Sequence, residues 1–78
     1  MTERYWQGMT PLKCEVTGKR LNGVMYDAKL PGIGGAWALV CQDAFTVLGG
    51  KLGTGHGQRY DLQGNGRFLL VAGSGDGG

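Results

Sequence analysis

Short apolar segments separated by glycine and proline run along this chain, and their lengths predict strands instead of long helices. Residues 24–30 form one such segment. Residues 36–40 form another, and their continuous apolar run predicts a strand covered on both faces, with Trp37 in the core. Residues 12–21 predict a shorter strand that enters a tight turn at Thr17-Gly18. The pattern therefore indicates a sheet assembled from several short strands.

Residues 42–48 are the segment that the pattern assigns to a short helix. Asp43 lies in its first turn, where the helix dipole favours an acidic side chain. Gly49 follows the last turn, at the place where a left-handed residue commonly ends a helix. One side of this helix is expected to be apolar, and it carries Ala44, Phe45 and Leu48.

The strongest local signal is a β-hairpin in the second half of the sequence. Residues 58–63 and 67–72 have strand composition, and Asn65-Gly66 between them is typical of a two-residue hairpin turn. With that turn, residue 62 opposes residue 69 and residue 60 opposes residue 71. One buried sheet face is then expected to hold Tyr60, Leu62, Leu69 and Val71.

The chain has 78 residues, which leaves room for a single hydrophobic core. We expect residues 1–11 to form an N-terminal arm or edge strand, residues 12–73 to form one domain, and residues 74–78 to form a flexible tail. With several strands and one short helix, the predicted fold class is a small β-rich α+β domain. A domain of this size is marginally stable unless a metal, a disulfide or a partner supports it.

Charge and composition narrow the classes of partner. Eight basic and six acidic residues give a net charge of +2, so the electrostatic field that would attract nucleic acid is weak. Lys19-Arg20 is the one local cluster of basic residues. No apolar run approaches the ~20 residues of a membrane span, and residues 1–8 lack the apolar region of a secretory signal. We therefore expect no membrane partner and a cytoplasmic location, where thiols stay reduced.

The sequence contains two cysteines, and the residues around each resemble half of a zinc site. Cys14 begins Cys-Glu-Val-Thr-Gly-Lys, which resembles the Cys-x-x-Cys-Gly-Lys turn of zinc knuckles, where glycine allows backbone amides to point at sulfur. Cys41 opens the predicted helix, where a second Cys-x-x-Cys pair would normally stand. The order of knuckle, β-hairpin and cysteines at a helix N-terminus resembles that of treble-clef and zinc-ribbon domains. This resemblance implies a treble-clef or zinc-ribbon-like fold.

The stretch from Cys14 to Tyr60 also resembles a group of small proteins that are common in tailed phages and prophages. Those proteins carry Cys-x-x-Cys-Gly-Lys-Pro, a Tyr-Asp-Ala-Lys-like strand, Gly-Pro-Trp-Ala, a second Cys-x-x-Cys and a closing Gly-Leu-Gly-Thr-Gly-x-Gly-Gln-x-Tyr. This chain matches the pattern at residues 17–19, 26–29, 36–38, 41 and 52–60. The resemblance covers more than half of the chain and implies a phage-type accessory protein.

Two departures from this pattern bear on whether the chain can bind zinc. Thr17 and Ala44 occupy the positions of the second cysteine in each pair, and a structural zinc site needs four ligands. Asp43 and His56 are candidates for the missing ligands, although neither has ligand spacing to a cysteine. We expect no cofactor and interpret the two cysteines as buried thiols of a degenerate site, with zinc binding as the less favoured alternative. A disulfide between them is sterically conceivable, but a reducing cytoplasm disfavours it.

Catalytic machinery is not expected in this chain. Residues 52–57, Leu-Gly-Thr-Gly-His-Gly, lack the Gly-Lys-Ser/Thr ending of a phosphate loop and lead into a strand. His56 has no acid and nucleophile at the spacing of a catalytic triad, and we interpret it as an exposed loop residue.

The function predicted from these observations is the binding and modulation of another protein, such as a host or host-defence component. Aromatic and Met side chains are enriched at protein interfaces. The arm that carries Tyr5, Trp6 and Met9 is therefore expected either to pack on its own domain or to contact the partner, and Lys19 and Arg20 are further candidate contacts. The alternative function is a small nucleic-acid-binding module of zinc-ribbon type.

Overall fold

Four strands and one helix make up the fold in the computed structural model, which describes residues 4–7, 9, 11–53 and 55–73. The elements are β1 (Val24–Leu30), a 3-10 turn (Pro31–Ile33), β2 (Ala36–Val40), α1 (Gln42–Val47), β3 (Gly57–Leu62) and β4 (Phe68–Ala72). The strands form one antiparallel sheet with the spatial order β2-β1-β3-β4. The predicted β-rich α+β class is therefore confirmed.

The predicted helix is confirmed within one residue of its expected end. Gly49 follows α1 with a left-handed backbone, at a φ of 80°. Ala44 is buried, and Phe45 and Leu48 pack against the core, so the apolar side of α1 is the expected one. Phe45 stacks on Tyr26 of β1 with ring centroids 4.0 Å apart, which holds α1 over the sheet. In the described ranges, no helix has the length and apolarity that crossing a membrane requires.

β1 pairs with β2 on one edge and with β3 on the other, and it carries buried side chains on both of its faces. Strand alternation places Ala28 and Leu30 on the same face as Tyr26, under α1. Met25 lies on the opposite face, beside its cross-strand neighbour Tyr60. All five side chains are buried, so the core has one layer on each side of β1.

The C-terminal hairpin is confirmed, but its loop is one residue longer than predicted. The N–H of Gln63 donates to the carbonyl of Arg67 at 2.8 Å, so the loop comprises residues 64–66. Gly66 has a φ of 81° and supplies the left-handed residue that ends such a three-residue loop. As a result Tyr60 opposes Leu70, and residue 62 opposes residue 68.

This one-residue shift moves every side chain of β4 to the other face of the sheet. Phe68 is 3% exposed and joins Tyr60 in the core, whereas Leu62 and Val71 are 45% and 46% exposed. Leu69 opposes Asp61 and is only partly buried. The predicted buried face is therefore wrong at three of its four positions. The longer loop lets the sheet bury the Phe68 ring, which removes more apolar surface from water than a leucine would.

β2 is a strand as predicted and lies at the edge of the sheet. Ala36 and Trp37 are exposed, so the expected cover on both faces is wrong. Trp37 is 52% exposed and does not fill the core, while Val40 at the end of the strand is fully buried. An apolar run has the same composition in an edge strand as in a central one, and the strand order decides which it becomes. The strand expected within residues 12–21 is reduced to a single bridge between Lys13 and Arg20.

The described part of the N-terminal segment lies along β4. The N–H of Trp6 donates to the carbonyl of Phe68 at 2.9 Å, and the N–H of Leu70 donates to the carbonyl of Arg4 at 2.7 Å. The Trp6 ring meets the Tyr60 ring edge-on, with centroids 5.7 Å apart. The segment thus continues the sheet beyond β4 and packs on its own domain. The predicted tail, residues 74–78, lies outside the described residues.

Candidate functional site

Residues 14–19, which we call the knuckle, form a closed turn beside β2. The N–H of Cys14 donates to the carbonyl of Lys19 at 2.8 Å, and the N–H of Gly18 donates to the carbonyl of Cys14 at 2.9 Å. Gly18 has a φ of 73°, a conformation that residues with a Cβ rarely adopt. The Thr17 hydroxyl accepts from the N–H of Lys19 at 3.2 Å. The tight turn predicted at Thr17-Gly18 is confirmed.

Hydrogen-bond donors of the knuckle point at the sulfur of Cys14. The N–H of Thr17 lies 3.4 Å from the Cys14 Sγ. Burial is the largest single influence on this thiol, and by itself it raises the pKa. Hydrogen bonds from the Thr17 side chain and from the backbone of Thr17, Cys41 and Val16 together outweigh burial and lower the pKa of Cys14 from 9.0 to about 7. These hydrogen bonds therefore favour the thiolate form of Cys14.

Glu15 fastens the knuckle to the outer edge of β2. Its N–H donates to the carbonyl of Leu39 at 2.9 Å, and its carboxylate Oε1 accepts from the N–H of Leu39 at 2.6 Å. Because β2 ends at the next residue, this attachment places Cys41 beside the knuckle. The Thr17 Oγ1 lies 3.9 Å from the Cys41 Sγ. Thr17 thus contacts both sulfurs and joins them into one site.

The start of α1 completes this arrangement. Cys41 is the N-cap residue of α1, and Ala44 lies in its first turn and is buried. Ala44 and Thr17 line the same apolar groove of about 180 Å³. Positions 14, 17, 41 and 44 therefore converge in space.

The converging residues do not form a zinc ligand set. Two of the four positions are thiols, while Thr17 offers a hydroxyl and Ala44 has no donor atom. Across the residues that the structure describes, no three His, Cys, Asp or Glu side chains come together in a way that could hold a metal ion. Asp43 lies beside Cys41, but His56 is not brought to the cysteines and instead lines a cavity with Lys29 and Lys51.

The two thiols differ in their access to solvent. Cys14 is 2% exposed, as the sequence led us to expect. Cys41 was also expected to be buried, but it is only partly so and lines a cleft of about 290 Å³. Lys19 and Arg20 line the same cleft, together with Asp43. The basic pair that the sequence suggested as a partner contact therefore lies next to the more accessible of the two thiols, which the sequence did not predict.

The aromatic candidates lie at the other edge of the sheet. Trp6 packs against the core, and its indole Nε1 donates to the carbonyl of Met9 at 3.1 Å. The guanidinium of Arg67 lies 4.3 Å from the centre of the Tyr5 ring. Met9 keeps an exposed side chain. The N-terminal segment lies alongside β4, whereas the knuckle lies alongside β2. The predicted contact residues therefore fall into two separate groups.

No pattern in the sequence pointed to Val47, which is 80% exposed at the end of α1. Val16 and Val47 border the groove that Thr17 and Ala44 also line, and we call this surface the α1 groove. Periodicity assigned the buried side of α1 correctly. It did not show that Val47, on another side of α1, shares an apolar surface with Val16 of the knuckle. The role of Thr17 was detectable from sequence only through its place in the Cys-x-x-Cys pattern.

No protein-family model matches the chain. Neither does any curated protein or any solved structure. The function is therefore inferred from the residues and geometry of the chain itself.

Proposed function

We propose that this domain is a non-enzymatic, phage-type accessory protein that binds another protein, such as a host or host-defence component, and modulates it. The observation that carries the proposal is the α1 groove. Its surface is apolar, and Val47 beside it is almost fully exposed. Exposed apolar surface next to a concavity is typical of sites where a partner docks an apolar side chain.

We also propose a treble-clef-like or zinc-ribbon-like ancestry for the fold. It is supported by the chain order of the knuckle, the β1–β2 hairpin and a helix that begins directly after Cys41. The convergence of positions 14, 17, 41 and 44 is what a former four-ligand site would leave behind. The resemblance of residues 14–60 to small phage proteins points to the same origin.

Val47→Asp is expected to abolish partner capture from a bacterial lysate while leaving the melting temperature within a few degrees of wild type. A charge at the rim of the groove must be desolvated when an apolar partner docks, whereas an exposed side chain contributes little to folding. Val71→Asp is the matched control, because Val71 is also exposed but lies on β4, away from α1.

The measurement is a quantitative pull-down followed by titration of the purified partner. A binder is expected to saturate at about one domain per target site. Equal capture by Val47→Asp and Val71→Asp would move the interface away from the α1 groove. Modulation at strongly sub-stoichiometric ratios would contradict a binding function altogether.

A second candidate function, nucleic-acid binding, is favoured by one cavity. Lys29, Lys51 and His56 line a space of about 360 Å³ beside the glycine-rich loop, which would suit a phosphate group. If this function holds, a gel-shift titration should show binding that weakens as salt rises, and Lys29→Gln with Lys51→Gln should reduce it. Binding that is absent at low salt would eliminate this alternative.

A further inference from the structure

We propose that Cys41 and Cys14 form a thiol–disulfide exchange site for anionic low-molecular-weight disulfides, with Cys41 as the attacking thiol and Cys14 as the resolving thiol. This site adjoins the α1 groove, with which it shares Asp43, but its chemistry does not require a bound partner. Two neighbouring thiols that are not engaged by a metal can exchange with a disulfide.

The division of roles follows from burial and contact. Cys41 lines an open cleft and can meet a reagent from solvent, whereas Cys14 is almost fully buried and cannot. Thr17 contacts both sulfurs, at 3.4 Å from its N to the Cys14 Sγ and 3.9 Å from its Oγ1 to the Cys41 Sγ. Cys14 is therefore placed to react with whatever becomes attached to Cys41, and with little else.

The preference for anionic reagents follows from the lining of the cleft. Lys19 and Arg20 contribute two positive charges beside Cys41, and Asp43 contributes one negative charge. The net positive field attracts a disulfide that carries carboxylates, such as oxidised glutathione. A neutral disulfide is not attracted by this field.

The reaction balances in two exchange steps. The Cys41 thiolate attacks one sulfur of the reagent R–S–S–R, the S–S bond breaks, and RS⁻ leaves and takes up the proton that Cys41 lost. The Cys14 thiolate, which accepts hydrogen bonds from the knuckle, then attacks the Cys41 sulfur and expels the second RS⁻, which is protonated in turn. Two electrons pass from the two cysteine thiols to the reagent, which yields one internal disulfide and two molecules of RSH.

The roles of the two thiols are tested by incubating the full chain with oxidised glutathione and following its mass. Wild type is expected to lose two hydrogens without retaining glutathione. Cys14→Ala should instead accumulate one glutathione on Cys41, and Cys41→Ser should stay unmodified because Cys14 is buried. Circular dichroism of each variant shows that it is folded. A wild type that retains glutathione, or a folded Cys41→Ser that reacts as fast as wild type, would overturn the proposal.

The charge preference is tested with a neutral probe, bis(2-hydroxyethyl) disulfide, in parallel. Lys19→Gln with Arg20→Gln should slow the reaction with oxidised glutathione by about three- to tenfold at low salt, and should change the neutral reaction much less. Asp43→Asn should speed the glutathione reaction. Lys51→Gln, in a different cavity, serves as the control and should change neither rate. Equal slowing of both disulfides by the double variant would show that the cleft does not select for charge.

Discussion

Phe68→Ala is expected to lower the free energy of unfolding by about 3–5 kcal/mol, the usual cost of removing a buried Phe ring. Phe68 belongs to the core layer that also contains Met25 and Tyr60. Its carbonyl holds the N-terminal segment through the backbone of Trp6 and is unaffected by the substitution. The loss therefore reports side-chain burial, and urea denaturation followed by circular dichroism measures it.

Leu62→Ala and Leu69→Ala are the controls for this prediction. Leu62 is directly opposite Phe68 but is half exposed, and Leu69 is only partly buried, so each variant should cost about 1 kcal/mol or less. A two-residue loop at Asn65-Gly66 would reverse the order and make Leu69→Ala the costly change. A larger loss for Leu69→Ala than for Phe68→Ala would thus contradict the three-residue loop.

Replacing Thr17 and Ala44 together by cysteine is expected to convert the domain into a zinc protein. The double variant would present four thiolates from the knuckle and the start of α1, which is the ligand set of a structural zinc site. Zinc that binds the folded form stabilises it, by about 4 kcal/mol when free zinc is ~1,000-fold above the Kd. Elemental analysis after dialysis and thermal melting with and without a chelator measure the two effects.

Thr17→Ser with Ala44→Ser is the matched control, since it introduces side chains of similar size without thiolates. This control and the wild type should both retain little zinc after dialysis. One zinc per chain in the wild type would show that Asp43 or another residue completes the site. A folded double-cysteine variant without zinc would show that the four positions do not converge, which would remove the support for a treble-clef ancestry.

Features that depend on a few neighbouring residues could be predicted from the sequence. The helix after Cys41 and its apolar side are set by local spacing, and Gly49 ends it because a residue without a Cβ adopts a left-handed backbone at little cost. The turn at Thr17-Gly18 and the existence of the C-terminal hairpin are local in the same sense. The β-rich α+β class follows from these elements.

Features that depend on contacts between distant segments were decided only by the tertiary structure. The Asn65-Gly66 pair suits both a two-residue and a three-residue loop, and the choice was made by the burial of Phe68 against Met25 and Tyr60. Trp37 is exposed on an edge strand, and neither strand order nor the cover of a face is encoded in the composition of one strand.

The candidate site depends on tertiary contacts in the same way. The sequence pattern singled out Cys14 and Cys41 only because the residues around each resemble half of a zinc site. It could not show that two hydrogen bonds between Glu15 and Leu39 bring the two cysteines together. Nor could it show that one thiol is buried while the other lines a basic cleft. Local sequence fixes backbone conformation over a few residues, whereas accessibility and charge environment are sums over every segment that packs nearby, and those sums exist only in the folded chain.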